Sequence, residues 1–176
     1  MEPTARLVII SGGQSGADRA ALDVARELGL AYEGWCPQGG WAEDCSEPPG
    51  LLARYPLLRE TPQREPAQRT DWNVRDSDAT LILLDAAGID VSQGTMLARE
   101  CAARYGKPLH VAGLAAADDL AQAKAWLADL MDRHPAGLPF RLGIGGPRES
   151  EAPGIYAKAG AFLRALLSFA PAQARS

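Results

Sequence analysis

Arg6-Leu7-Val8-Ile9-Ile10-Ser11-Gly12-Gly13-Gln14-Ser15-Gly16-Ala17-Asp18 is the stretch on which the fold turns. Leu7 to Ile10 is a continuous apolar run rich in β-branched residues. A half-exposed strand would alternate, so this run reads as a strand buried on both faces. Serine and glycine stop it at once. From Ala17 the period becomes helical, with Ala20, Ala21, Val24 and Leu28 at helix spacing and Gly29 as the stop. Strand, glycine turn and helix together open a βαβ unit.

The same signal recurs downstream. Ala79-Thr80-Leu81-Ile82-Leu83-Leu84 is a second apolar run, followed by a polar loop and a predicted helix over residues 95–105 that stops at Gly106. Residues 109–112 predict a third strand, 117–131 a helix, 140–144 a fourth strand and 155–169 a last helix. Strands alternating with helices of this length predict an α/β fold, a Rossmann-like three-layer αβα sandwich with a mainly parallel central sheet. One domain over residues 1–170 is expected, with 171–176 a disordered tail. Between 35 and 70, Gly, Pro and charged residues dominate, and only 32–35 and 55–58 carry strand character. That segment reads mostly as loop, either a lid or recognition loop or a mobile linker. Residues 71–77 read as a helix with Thr70 as its N-cap.

Composition narrows the function. The chain has 176 residues, a net charge of -4 and three cysteines, Cys36, Cys45 and Cys101, with no CxxC. The acidic balance argues against a broad nucleic-acid face. The odd cysteine count argues against a disulfide frame, and neither His110 nor His134 has a second ligand at metal spacing. There is no run of 18 apolar residues, and Met-Glu-Pro-Thr-Ala-Arg lacks the basic start of a signal peptide, so a cytoplasmic protein without membrane contact is expected.

Three glycine turns fall where strands hand over to helices: Ser11 to Asp18, Ser92-Gln93-Gly94-Thr95, and Gly143 to Ser150. In a parallel sheet these junctions converge on one edge, where backbone N–H groups at helix starts can cradle an anion. Each turn could instead simply pack its helix tightly. Arg69 and Arg148 are the arginines best placed to add positive charge, unless they pair with neighbours such as Asp71 or Glu149. Asn73, Asp76 and Asp78 read as polar ligands or as a solvated helix face. Cys36 and Cys45 read as reactive or inert thiols, and Trp35 and Trp41 as stacking platforms or loop anchors. Ser15 lacks the surroundings of a nucleophile. The residues expected at a phosphorylated ligand are Gly12, Gly13, Gln14, Ser15, Gly16 and Asp18, then Arg69, Thr70 and Asn73, then Gly94 and Thr95, and finally Gly145, Gly146 and Arg148. No catalytic residue and no metal ligand is assigned.

Taken jointly, Ser11 to Asp23, Gly34-Trp35-Cys36-Pro37 with Ala42-Glu43-Asp44, Arg69-Thr70 with Asn73-Val74, Ser77 to Ile82, Gly94-Thr95, and Gly145 to Ser150 with Pro153-Gly154-Ile155-Tyr156 resemble the molybdenum carrier family. Its characterised members are molybdenum-cofactor carrier proteins. The likeness runs in order along essentially the whole chain. It implies a Rossmann-like fold related to the LOG-like phosphoribohydrolases, a homo-oligomer (dimer or tetramer), molybdenum cofactor as bound cargo, and molybdoenzymes as recipients. The chain departs from the family at Gly39-Gly40-Trp41, where many relatives carry a basic residue. The alternatives are a nucleoside-monophosphate phosphoribohydrolase of the LOG-like type and a nucleotide-sensing module. The LOG-like enzymes use a PGGxGTxxE motif; here Ala98 stands at the glutamate position, and Glu100, two residues on, is turned about 200° around a helix.

Overall fold

The computed structural model describes residues 6–86 and 88–169. The strands are β1 (Leu7–Ile10), β2 (Ala31–Glu33), β3 (Trp35–Cys36), β4 (Arg59–Glu60), β5 (Ala79–Leu84), β6 (Leu109–Gly113) and β7 (Phe140–Gly145). The helices are α1 (Ala17–Glu27), α2 (Leu51–Arg54), α3 (Pro66–Asp76), α4 (Gln93–Arg104), α5 (Asp119–Asp132) and α6 (Ile155–Leu167). The main sheet has five strands in the order β2-β1-β7-β5-β6, all parallel, and β3 and β4 form a small parallel pair beside it. The expected tail at 171–176 lies outside the described residues.

Period-two alternation sorts the strand side chains between two helical layers. Leu7, Ile9, Leu81, Leu83, Leu142 and Ile144 belong to the large core under α1, α5 and α6. The opposite face carries α3 and α4, and Ile10, Gly143 and Thr80 stand side by side on it in register. Helices α1 and α4 end alike. Leu30 N–H reaches Ala25 O and Gly29 N–H reaches Arg26 O, as Lys107 N–H reaches Ala102 O and Gly106 N–H reaches Ala103 O. Both are Schellman closures, in which the glycine takes the left-handed backbone that other residues avoid.

Two readings of the sequence need correction. Helix α3 begins at Pro66, with Glu65 as N-cap, so Thr70 lies inside it and its hydroxyl donates to Pro66 O at 3.1 Å. Proline at the first helical position is the sequence signal of this start. The 35–70 segment is neither a bare loop nor a linker. Cys36, Ala42, Leu51, Tyr55 and Leu58 are buried in the main core, and the strand character lies in β4 at residues 59–60 and not at 55–58. Among the described residues no helix is long and apolar enough to cross a membrane.

Candidate functional site

A cleft of about 330 Å³ opens at the carboxyl edge of the sheet on the α3/α4 side. Its floor is the row Ile10, Gly143 and Thr80, with Gly145 further out. Small residues keep this floor low; a Cβ on Gly143 would stand 2.6 Å from Ser77 Oγ. One wall is the start of α3, from Glu65 to Thr70, and the other is the start of α4, from Ser92 to Ala98. Ser92 caps α4, its hydroxyl accepting from Thr95 N–H at 3.2 Å and from Thr95 Oγ1 at 2.9 Å. The first amides of α4, at Gln93 and Gly94, have no acceptor within the helix and lie at the mouth of the cleft.

Of the residues expected at a ligand, Gly12, Gln14, Asp18, Arg69, Thr70 and Asn73 line this cleft, as do Gly94, Thr95, Gly145, Gly146 and Arg148. Gly13, Ser15 and Gly16 do not. Gly13 faces the core, where a Cβ would meet Leu51 and Leu22 at 3.1 and 3.2 Å. Ser15 ties loops together: its hydroxyl donates to Glu43 and accepts from Glu149 N–H at 3.2 Å. Gly16 allows the first and third turns to meet, since a Cβ there would stand 2.7 Å from Glu149 N. The three glycine turns do converge on this one cleft, but the reading that all three helix starts offer it free amides needs correction. The α1 start is closed by Ala17 N–H donating to Pro147 O at 3.2 Å, and the α6 start by the Glu149 carboxylate, which accepts from Gly154 and Tyr156 N–H at 2.6 and 2.9 Å. The α4 start remains.

The charged residues are held by specific partners. Arg69 does not pair with Asp71; its Nη1 donates to Asp18 at 2.9 Å, and both side chains are buried. Gly12 is bare because Arg69 crosses it, with Cδ 2.9 Å from where a Cβ would stand. Burial pushes the Asp18 carboxyl above its ordinary range, while Arg69, the Gly146 N–H and Arg19 pull against that rise. Asp71 instead accepts from Arg104 and Tyr105. Asn73 lines the cleft, but its amide clamps β3, accepting from Trp35 N–H at 2.7 Å and donating to Trp35 O at 2.9 Å. Asp76 accepts from the Trp35 indole and from Arg75, and Asp78 from Arg141 N–H. Arg148 lines the cleft with its guanidinium 5.6 Å from the centre of the Trp41 ring.

Trp35 is an anchor, packed edge-on against Trp72 with ring centres 4.8 Å apart. Cys36 is fully buried, and burial pushes its thiol up to about 11, so it stays protonated at neutral pH. His110 stacks on Trp126, and His134 bonds Pro139 O. Among the described residues no group of three or more His, Cys, Asp or Glu side chains is placed to hold a metal ion.

Sequence reasoning missed Ser11, Glu65, Ser77, Thr80 and Ser92, all of which line the cleft. A polar Thr80 inside an apolar strand and a Ser three residues ahead of Thr95 were the available signals. Three buried polar atoms of cleft residues lack a partner: Gln14 Nε2, Arg69 Nε and Thr80 Oγ1. Such atoms are uncommon in a folded protein; these three belong to residues around the cleft but are themselves enclosed by protein atoms. Ala98 lines the cleft with a methyl group where the LOG-like motif carries its acid, and Glu100 is exposed outside it.

An open parallel sheet with a ligand-sized cleft at its carboxyl edge defines a Rossmann-like α/β protein. The chain belongs to the circularly permutated YpsA SLOG family, whose sequence profile matches residues 9–167. It is also similar to a crystal structure of the "Putative molybdenum carrier protein" from Syntrophus aciditrophicus SB, at 33% sequence identity and a TM-score of 0.76, covering 95% of this chain and 98% of that one. No curated protein matches the chain. Family and neighbour agree with the resemblance carried by the motifs.

Proposed function

We propose that this chain is a carrier that holds molybdenum cofactor, or a closely similar phosphorylated pterin or nucleotide, in the cleft between α3 and α4. The observation that carries the reading is the α4 start: a twelve-residue helix whose leading amides at Gln93 and Gly94 open onto the cavity, with Arg148 also in its lining. A phosphate there meets free N–H groups and the positive end of the helix, with Arg148 as a counter-charge. A Cβ on Gly94 would meet nothing within 4 Å, so the mouth is open to an incoming group. The name of the structural neighbour favours molybdenum cofactor among such ligands. The methyl of Ala98 supplies no acid or base, which favours holding a ligand over hydrolysing it.

Native mass spectrometry of protein purified from a host that makes the cofactor tests this, with the released small molecule identified. One phosphorylated pterin per chain is expected, in a dimer or tetramer. Protein that emerges without ligand and does not take up the cofactor afterwards refutes the proposal. Release of free base from AMP under turnover conditions would make the chain an enzyme instead.

A further inference from the structure

We propose that Trp41 is a positioning residue of the cleft, whose ring holds the Arg148 guanidinium in place and leaves its positive charge for a phosphorylated ligand. This rests on the cleft being the ligand site. Two arginines line the cleft, and they are held in different ways. Arg69 is answered by Asp18 at 2.9 Å. Arg148 is in no ion pair among the described residues, and its guanidinium lies 5.6 Å from the centre of the Trp41 ring. The neighbouring carboxylates are engaged elsewhere. That of Glu149 accepts from Gly154 and Tyr156 N–H, that of Glu151 from the Arg148 backbone N–H at 2.8 Å, and that of Glu43 from Ser15 and Ser150. Glu43 feels the charge of Arg148 without reaching ion-pair distance.

The segment around Trp41 is fixed on both sides of the ring. Gly40 precedes it at a φ of 68°, where a Cβ would stand 2.2 Å from Pro49 O, so glycine alone fits there. Ala42 follows it fully buried and exchanges backbone hydrogen bonds with Cys45 at 3.1 and 3.0 Å. Two residues past Trp41, the Glu43 carboxylate accepts from Ser150 N–H at 3.2 Å, and Ser150 is two residues past Arg148. That clasp sets the two segments abreast, with ring beside guanidinium. A carboxylate in the place of the ring would also hold Arg148, but it would cancel the charge. An aromatic face attracts a cation through its quadrupole and carries no net charge, so the guanidinium keeps its charge and its N–H donors for an anion. Holding the side chain beforehand also removes rotamer freedom that binding would otherwise have to freeze.

A double-mutant cycle, read by calorimetry of AMP and inorganic phosphate binding to the full chain, tests this. Trp41→Leu is expected to weaken AMP binding about fivefold, the scale of a partly desolvated cation–π contact, and Trp41→Phe about twofold, since a smaller ring face remains. Arg148→Ala is expected to weaken it more than either, and adding Trp41→Leu to Arg148→Ala to cause no further loss. A merely structural ring would weaken binding equally with and without Arg148, and that result overturns the inference. So does AMP binding to Trp41→Leu as tightly as to wild type. Should Trp41→Leu fail to fold, Trp41→Phe takes its place in the cycle; a loss that persists in Arg148→Ala, or no loss at all, overturns the inference there too. Where phosphate binds and AMP does not, the same cycle is read with phosphate. If Arg148→Ala binds as tightly as wild type, the inference falls and the proposed carrier site stands. If wild-type protein binds neither probe, both fall.

Discussion

On the α1/α6 face of the sheet, Leu7, Ile9, Leu81, Leu83, Leu142 and Ile144 meet helices rich in Ala and Leu and fill the space between. On the α3/α4 face the same strands present Ile10, Thr80, Gly143 and Gly145, and the helices stand over a cleft. The apolar cluster of buried residues on that side is small, comprising Val74, Cys101 and Ala102. The first face is packed with side chains throughout, whereas the second sets Val8, Ile10 and Ile82 beside Thr80, Gly143 and Gly145, whose small side chains leave the hollow. Where a parallel sheet holds Gly and Thr in the middle of otherwise apolar strands, the missing volume is itself information.

That contrast is easiest to break on the packed side. Leu81→Ala is expected to lower stability by about 3 kcal/mol in denaturant unfolding, because the lost contacts leave a cavity, and to leave ligand affinity unchanged. Gly13→Val adds a side chain at a φ of 70° with Leu51 and Leu22 already close. It should cost about 2 kcal/mol of stability, although its turn leads toward the cleft. On the hollow side, Arg148→Ala should weaken binding of a phosphorylated ligand by about 2 kcal/mol by calorimetry, with stability changed by less than about 0.5 kcal/mol. Thr80→Val, one residue from Leu81, replaces an unpartnered buried hydroxyl with a methyl group. It should be neutral or stabilising by up to about 1 kcal/mol in thermal unfolding. A loss there comparable to that of Leu81→Ala would mean that the two faces are not different in kind.

The smallest effect concerns the junction of the turns. Burial acts to raise the Glu43 carboxyl, but hydrogen bonds from Ser15 and Ser150 and the charge of Arg148 bring it below the ordinary glutamate value. A carboxyl lowered by folding contributes stability above its unfolded value and loses it as pH falls through the folded one. Stability of the wild-type chain should therefore decline from about pH 5 to about pH 3 more steeply than that of Glu43→Gln, as read by unfolding at each pH.

The central strands and helices were legible because each carries its own period: Leu7 to Ile10, Ala79 to Leu84 and the Ala20, Ala21, Val24 stripe need no partner to be recognised. The small elements between 35 and 70 were not. Cys36 and Tyr55 are buried there through contacts far away in sequence, such as Tyr55 OH donating to Asp23 at 2.5 Å. Position in the sequence pointed to the correct edge of the sheet, and most of the residues expected at a ligand do line the cleft. It could not tell Gly12, which makes room for Arg69, from Gly13, which faces Leu22, because both are bare residues in one turn. Nor could it pair Arg69 with Asp18, since that contact depends on α3 starting at Pro66 and passing across the first turn.

The place of β7 at the centre of the sheet governs how the molecule is made. Leu7 pairs with Phe140, and Leu81 with Ile144, so the strand joining the two halves is made after both of them. Until then β1 and β5 each present an open edge, the template on which unfinished chains stick to one another. Synthesis can complete the β1–β2 and β5–β6 pairs early, but the cleft floor, which needs Gly143 beside Thr80, forms only after β7 has been made. A ligand can therefore enter the cleft only after β7 has taken its place. Distant pairings of this kind also slow folding, so the edges of β1 and β5 stay open for longer while the central strand arrives.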